Sequence, residues 1–262
     1  MNVLDFIKYK NEKKPISMIT CYDSWSAAII EESDLDCLLV GDSLAMTMHG
    51  YETTIPADTD LMALHTAAVR RGAPSSFIIA DMPFLSFRKG LVPAMETVEK
   101  LMHAGANAVK LEGVDGHSEI ISFIVESGVP VMGHLGLTPQ SVNQLGGYKV
   151  QGKTEKKARN LIDDALALEE AGCFAIVLEC VPAALAKIIS EKLTIPTIGI
   201  GAGKDCDGQV LVLQDMLGLN HKFQPKFVRT FMDGFSTIKK ALNQYDSVVK
   251  DRSFPEEKES YS

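Results

Sequence analysis

The chain has 262 residues, of which 46% are hydrophobic, and a formal net charge of −8 from 34 acidic and 26 basic side chains. A chain of this length can build a large core, and (β/α) barrels commonly reach roughly 250 residues as one domain. The acidic balance excludes general nucleic-acid binding, which requires a basic surface.

The amino terminus, MNVLDFIKYKNEKKP, has scattered charges and lacks the pattern of a signal peptide. No apolar stretch of the sequence reaches the roughly 18 residues that a membrane span requires. The five cysteines are odd in number and form no CxxC pair, which is typical of a reducing compartment. Cys21, Cys37 and Cys180 lie in or beside apolar runs and are predicted to be buried. We therefore expect a cytoplasmic protein that binds no membrane.

Eight short apolar runs, rich in β-branched residues, predict strands along the chain. They lie at residues 16–20, 37–40, 77–81, 108–112, 129–135, 174–179, 194–200 and 209–214. Segments with helical spacing separate most of them, at residues 58–72, 92–106, 117–128, 153–172 and 182–193. Runs that are apolar throughout are typical of parallel strands covered by helices on both faces. Several helical segments stop at a glycine, as helix C-termini often do: Gly72, Gly105, Gly128 and Gly172.

This alternation predicts an α/β fold, and eight strands fit a (β/α)8 TIM barrel better than an open sheet. The eighth run, QVLVLQDMLGL, could instead be helical, and residues 201–208 are short for a helix between the last two strands. An amphipathic helix at 227–245 could close the ring, and residues 246–262 form a polar tail that we expect to be flexible. We predict one barrel domain over residues 1–262, with an extra N-terminal segment and a C-terminal helix.

Polar residues cluster where the predicted strands end. The C-terminal ends of barrel strands converge on one face, and active sites lie there. Lys110 and Glu112 are two residues apart on one strand, so both side chains are expected on the same face. The full set is Asp42 and Ser43 after the second strand, Asp81 at the third, Lys110 and Glu112 on the fourth, His134 on the fifth and Glu179 on the sixth.

Three of these residues, Asp42, Asp81 and Glu112, are carboxylates that would repel one another in a small volume. A divalent cation would remove that repulsion, and a set of oxygen ligands favours Mg²⁺. Taken singly, each acid could be a helix N-cap or a loop residue. Their joint position at apolar strand ends favours a functional site.

The other polar residues leave alternatives open. Glu179 could be a proton-transfer base, or an acid that interacts with the dipole of a helix beginning near Pro182. Lys110 could hold a substrate carboxylate, form a Schiff base, or only pair with the acids. His134 could bind a substrate oxygen, transfer a proton, or have a structural role.

Two loops stand out in the sequence. Residues 134–153 are glycine-rich and lack a core-forming pattern, which favours a lid or substrate loop. Residues 199–209, GIGAGKDCDGQ, suit a tight turn close to a ligand or, alternatively, a phosphate-binding loop.

Blocks along the chain resemble the ketopantoate hydroxymethyltransferase family. They include LLVGDSLAM, ADMPF, VKLEG, VMGHLGLTPQS, GGYKVQGK and GIGAGKDCDGQVLVLQDMLG. The similarity runs from about residue 3 to residue 245, and the combination of blocks is far more specific than any one of them.

The resemblance implies a TIM barrel of the phosphoenolpyruvate/pyruvate class that assembles as a homodecamer. It also implies transfer of a one-carbon unit from 5,10-methylenetetrahydrofolate to 3-methyl-2-oxobutanoate through a Mg²⁺-stabilised enolate, giving 2-dehydropantoate for pantothenate and coenzyme A. Asp42, Asp81 and Glu112 match the metal-site acids of the family, and Glu179 matches its proton acceptor. Its substrate-binding positions match Asp42, Ser43, Asp81 and Lys110, to which our reading of the strand ends adds His134.

Without the resemblance, the residues also allow two other functions. One is a Mg²⁺-dependent lyase or mutase that acts on another 2-oxo acid. The other is a non-catalytic barrel that binds a small ligand or a partner protein.

Overall fold

A computed structural model describes residues 1–220 and 225–261. Its eight parallel strands close into a barrel in chain order, and β8 pairs with β1. This topology confirms the predicted (β/α)8 barrel. The strands are β1 (Ile16–Thr20), β2 (Cys37–Val40), β3 (Phe77–Asp81), β4 (Ala108–Glu112), β5 (Val131–Gly136), β6 (Ala175–Glu179), β7 (Thr197–Ile200) and β8 (Gly208–Leu211).

Helices separate most of the strands, and side-chain caps fix where several of them begin. Asp23, Asp58 and Thr154 each accept a hydrogen bond from a backbone N–H in the first turn that follows. The helices are α1 (Val3–Glu12), α2 (Ser24–Glu31), α3 (Leu44–Thr47), α4 (Thr59–Gly72), α5 (Leu91–His103), α6 (Ser118–Glu126), α7 (Val142–Leu145), α8 (Glu155–Glu170), α9 (Ala183–Lys192), α10 (Leu213–Met216) and α11 (Gly234–Lys250).

The barrel interior is filled by alternate residues of every strand, because residues two apart share a face. Phe6 of α1 joins this core from the end where the strands begin, and its ring lies 5.5 Å from Phe77 and 4.9 Å from Phe174. The N-terminal helix thus closes the lower end of the barrel. The strand residues of the core are Ile16, Met18, Cys37, Leu39, Phe77, Ile79, Ala108, Met132, Ala175, Val177, Ile198 and Val210.

The last part of the barrel departs from the ideal pattern. β7 leads directly into β8 through residues 201–207, so no helix separates these two strands. The eighth apolar run forms a strand first and helix α10 afterwards, which explains why its sequence fits both patterns.

Gly72 differs from the prediction, because it is the last residue of α4 and not the residue after it. A Cβ at Gly72 would lie 2.2 Å from the backbone oxygen of Ser24, so this glycine allows α2 and α4 to approach closely. Gly105, Gly128 and Gly172 do follow their helices with positive φ, as predicted.

The long loop at 134–153 is partly ordered into secondary structure. Residues Pro139–Ser141 form a 3-10 turn and α7 follows directly, with Val142 buried. The loop therefore buries one apolar side chain, that of Val142, which its glycine-rich sequence did not predict.

The chain divides into two compact units, Met1–Val212 and a second that begins at Leu213. In the second unit, α11 begins at Gly234 and not at residue 227, because Asp233 caps it. The helix continues to Lys250, five residues into the predicted flexible tail, since Val248 and Val249 extend its apolar spacing. The single-domain assignment stays a prediction.

All five cysteines are free. Cys21 and Cys37 are buried as predicted, whereas Cys180 is only half-buried because it lies past the end of β6, with a φ of 49°. No helix in the described part of the chain is both long enough and apolar enough to cross a membrane.

Candidate active site

The interior pattern of the barrel explains why charged residues meet at its upper end. Asp81, Lys110, Glu112, His134 and Glu179 each continue the inward-facing series of their strand past the last apolar core residue. The first four of these residues are only 3% exposed. Strand ends therefore place a buried cluster of opposite charges at the barrel mouth.

Asp42 and Asp81 form one side of the cluster. The backbone N–H of Asp42 donates to Asp81 Oδ2 at 3.0 Å, which joins the ends of β2 and β3. Asp81 Oδ1 lies 2.9 Å from Lys110 Nζ, and both side chains are about 4% exposed. Gln140 Nε2 donates to Asp42 Oδ2 at 2.8 Å.

His134 links the cluster to Glu179. Its Nδ1 lies 3.2 Å from Lys110 Nζ and 3.5 Å from Glu112 Oε1, and its Nε2 lies 3.3 Å from Glu179 Oε2. The Glu179 side chain is 17% exposed, whereas that of Glu112 is 3% exposed. Glu179 is thus the carboxylate of this group that an incoming ligand reaches first.

Burial and the neighbouring charges together set the pKa values of the cluster. Burial and the neighbouring charges of Asp81 and Glu112 raise the pKa of Asp42 well above its ordinary value, and Lys110 and Gln140 only partly offset this. Burial and Lys110 oppose protonation of His134, but contacts with Glu112 and Glu179 outweigh them and raise its pKa to about 9. Burial likewise opposes the charge on Lys110, yet the three acids raise its pKa above the ordinary value.

Ser43 lies beside the cluster and is oriented by a tyrosine. Tyr22, which follows β1, is fully buried, and its hydroxyl lies 2.8 Å from Ser43 Oγ. Burial raises the pKa of Tyr22 to about 12, so the phenol stays neutral at physiological pH. The structure brings together all seven residues that the strand-end analysis singled out.

Two residues of the site were not predicted from the sequence. Tyr22 lies two residues past the end of an apolar strand, as Asp42 does, and could have been found by the same rule. Gln140 is 6% exposed and comes from the long loop, where no strand-end signal marks it. It also donates its backbone N–H to Glu112 Oε2 at 3.0 Å and its side-chain amide to the Met82 oxygen.

The carboxylate oxygens of the cluster are compatible with a bound divalent cation. In the part of the chain that the structure describes, three buried acids, Asp42, Asp81 and Glu112, lie beside two cationic side chains, Lys110 and His134, so negative charge is in excess. Asp81 Oδ1 has no hydrogen-bond partner among the described residues, although the Lys110 ammonium is close. Mg²⁺ commonly takes one or two carboxylates and completes its shell with water and substrate oxygens, which Asp42 and Asp81 fit.

A three-residue metal site is not formed, however. Within residues 1–220 and 225–261, no three His, Cys, Asp or Glu side chains have an arrangement that could hold a metal ion. Glu112 is engaged by the Gln140 backbone and by His134. The ligand set of Asp42, Asp81 and Glu112 therefore stays a prediction.

Solved structures of low sequence identity share the fold. A 2,3-dimethylmalate lyase, described as a PEP mutase/isocitrate lyase superfamily member, superposes with a TM-score of 0.63 at 15% identity, covering 99% of this chain and 91% of its own. A phosphonopyruvate hydrolase in complex with oxalate and Mg²⁺ gives a TM-score of 0.63 at 12% identity, covering 99% and 93%. This likeness supports the (β/α)8 barrel fold of the chain.

Curated relatives of high identity share one name, 3-methyl-2-oxobutanoate hydroxymethyltransferase. The relative from Bdellovibrio bacteriovorus is 62% identical over 260 residues, which cover 99% of each chain. That from Coxiella burnetii is 58% identical, covering 97% of this chain and 96% of its own. Residues 1–257 match the family described as ketopantoate hydroxymethyltransferase. With this match over nearly its full length, the chain belongs to the ketopantoate hydroxymethyltransferase family.

Proposed function

We propose that this enzyme transfers a hydroxymethyl group from 5,10-methylenetetrahydrofolate to 3-methyl-2-oxobutanoate and so forms 2-dehydropantoate. Relatives that are 52–62% identical over almost the whole chain carry the name of this activity. The observation that carries the proposal is the cluster at the barrel mouth. There the buried side chains of Lys110 and His134 lie close to a more exposed carboxylate, that of Glu179. That combination suits a small anionic acid from which a proton must be removed.

The 2-oxo acid is proposed to bind between Lys110 and Ser43. Lys110 is charged at neutral pH and is fixed by its ion pair with Asp81 at 2.9 Å. The hydroxyl of Ser43 is oriented by Tyr22 and can donate to a carboxylate or keto oxygen. Both groups are held in place before substrate arrives, so little ordering cost remains when it binds.

Asp42 and Asp81 would hold a divalent cation, with Glu112 close by. When bound, Mg²⁺ would act as a Lewis acid on the keto oxygen and make the neighbouring C–H group more acidic. Gln140 keeps the Asp42 carboxylate oriented for this role through its 2.8 Å hydrogen bond.

Glu179 is proposed to accept the proton from C3 of the 2-oxo acid. His134, whose pKa is raised to about 9, is a cation at neutral pH and lies 3.3 Å from this carboxylate. It therefore places a positive charge beside the carboxylate that is to accept the proton. The C3 carbon then bonds to the folate methylene carbon, and the bonds from that carbon to N5 and N10 of the folate break. Water supplies the hydroxyl oxygen, and the proton from C3 and one proton of the water go to the two nitrogens of the departing tetrahydrofolate.

The test is a product assay by NMR with 3-methyl-2-oxobutanoate and 5,10-methylenetetrahydrofolate, with Mg²⁺ and with EDTA. We expect 2-dehydropantoate only when the metal is present, and loss of turnover in Glu179→Gln but not in the exposed control Glu126→Gln. A Schiff base would be supported instead if product still forms in EDTA and if borohydride traps the 2-oxo acid on Lys110. Full turnover by Glu179→Gln would show that another group is the base.

The assembly and location are proposed on separate grounds. Helix α11 exposes Phe235, Ile238, Leu242 and Tyr245 at helical spacing, an apolar face that a second copy of the chain could cover in a homodecamer. Light scattering that gives a mass other than ten chains would overturn this state. Five free cysteines fit the reducing cytoplasm, where we propose that the enzyme works.

A further inference from the structure

A cavity of about 490 Å³ opens beside the catalytic cluster. Glu112 and Gln140 belong to both, and the remaining walls come from the loops after β3, β4 and β5 and from α8. Its volume is in the range of about 300–1,000 Å³ that is typical of small-molecule sites. Asp42, Ser43 and Lys110 lie outside the lining, so a second molecule can sit next to the 2-oxo acid without occupying its place.

The cavity offers hydrogen-bond acceptors that the protein itself leaves unused. Gln140 is 6% exposed, both of its donor contacts are made by Nε2, and its Oε1 accepts no hydrogen bond from the described residues. The carboxylate of Asp164 on α8 is half-buried, and no described residue donates to it or pairs with it. Burial and the charge of Asp115 raise the pKa of Asp164 to about 6. A ligand with several N–H donors would satisfy both groups.

The lining of the cavity also includes a surface that suits a flat ring. Phe84 is half-buried, and Leu85 and Val114 extend the apolar surface beside it. Arg88 donates to the backbone oxygen of Asp115 at 3.0 Å, which ties the loop after β3 to the loop after β4 and keeps this wall in place. An aromatic side chain and acceptor groups in one cavity favour a heterocycle that stacks on the ring and donates hydrogen bonds at its edge.

We propose that this cavity binds the pterin ring of the reduced folate co-substrate, with the Asp164 carboxylate accepting hydrogen bonds from its 2-amino group and N3–H. The inference rests on the proposed function, which requires a reduced folate next to the 2-oxo acid. These two adjacent N–H donors of a pterin match the two oxygens of one carboxylate. Glu112 and Gln140 line both the cavity and the catalytic cluster. The edge of the pterin that carries N5, to which the transferred carbon is bonded, can therefore face the cluster.

The test measures binding of tetrahydrofolate and of 6-methyltetrahydropterin, which lacks the tail, by calorimetry. In Asp164→Asn the side-chain NH2 group would face an N–H group of the pterin, where a carboxylate oxygen had accepted a hydrogen bond. We therefore expect Kd for both probes to rise about 10- to 100-fold, the range for a lost charge-assisted hydrogen bond. The KM for 5,10-methylenetetrahydrofolate should rise with it, and more than the KM for the 2-oxo acid. The matched control is Asp163→Asn, an exposed neighbour on the same helix that should not alter either Kd.

A second variant guards against a folding defect. Phe84→Leu removes the stacking surface and should also weaken binding of 6-methyltetrahydropterin, by about tenfold. Unchanged Kd values in both variants, in a wild-type enzyme that forms 2-dehydropantoate, would overturn this inference and leave the proposed function intact. A wild-type enzyme that neither forms product nor binds tetrahydrofolate would overturn both.

Discussion

Gln140 connects two carboxylates of the active site, although no signal in the sequence marked it. It donates through its side chain to Asp42 and to the Met82 oxygen, and through its backbone to Glu112. Each of these bonds orients a group that would otherwise be a buried, poorly satisfied acceptor. The residue acts by positioning two carboxylates, and its own chemistry is not needed for proton transfer.

Replacing Gln140 with alanine should therefore lower activity more than stability. The loss of a hydrogen bond to a charged group costs about 1.5–3 kcal/mol, so we expect kcat/KM to fall about 10- to 100-fold in steady-state assays. Gln151→Ala is the matched control, because among residues 1–220 and 225–261 that side chain bonds only to the Lys149 oxygen in the same loop. Equal activity in the two variants would contradict the positioning role.

Asp164 should make stability depend on pH. An unfolded aspartate titrates near ~3.9, whereas burial and Asp115 raise the pKa of Asp164 in the folded chain to about 6. Between these values the folded state binds more protons, so this residue lowers stability as pH rises through that window. Solvent screening keeps the effect small.

Asp164→Asn removes that penalty. Thermal unfolding should show a Tm about 1–3 °C higher than wild type at pH 7.5, with a much smaller difference at pH 4. The exposed Asp163→Asn removes only the smallest of the three causes that raise the pKa of Asp164, so its Tm should rise far less. A variant that is destabilised at pH 7.5 would mean that the Asp164 charge has a stabilising partner in solution.

At the scale of elements, the ends of β5 and β6 are held together by a glycine. Gly136 has a φ of 94°, and a Cβ there would lie 2.2 Å from the backbone oxygen of Glu179. The Leu137 N–H donates to the same oxygen at 2.8 Å. The position of the proposed base therefore depends on the close approach of these two strands.

Gly136→Ala should lower both stability and kcat. The control is Gly128→Ala, which has a φ of 90° but no atom within 4 Å of the added Cβ. It should lose only the backbone term of about 1–2 kcal/mol in denaturant unfolding and keep its kcat. If both variants lose stability equally and keep kcat, β5 does not position Glu179.

At the scale of the whole barrel, stability and chemistry lie at opposite ends. Phe6 packs with Phe77 and Phe174 where the strands begin, whereas the charged cluster lies where they end. The buried acids carry an electrostatic cost at the upper end, which the apolar lower core offsets. This division is general in barrels, because loops at the upper face can vary without altering the core.

Phe6→Ala should lower stability without lowering activity. Deleting a fully buried phenylalanine costs about 3–5 kcal/mol, so the free energy of unfolding in urea should drop by that amount. The kcat at 25 °C should change less than twofold, since the ring belongs to an apolar core cluster that includes none of the charged site residues. Phe123→Ala, which removes a ring that is 42% exposed, is the control and should lose far less stability.

The strands were predictable because their signal is local. An apolar run such as Cys37–Val40 indicates a doubly covered strand wherever it lies in a chain, and the structure has it at those bounds. Because residues two apart on a strand share a face, Lys110 and Glu112 could then be placed on the same face of β4. The helix ends were less certain, as α11 shows, because a capping side chain can act at several positions of one amphipathic segment.

The sequence by itself determined the barrel, the family and the seven polar residues at the strand ends, since periodicity, strand parity and specific blocks can be read without knowing the path of the loops. Only the tertiary structure decided that Gln140 enters the cluster and that Asp164 and Asp115 share a cavity. These contacts join residues that are far apart in sequence through irregular segments. No local spacing encodes such a path, because the conformation of a loop depends on the elements against which it packs.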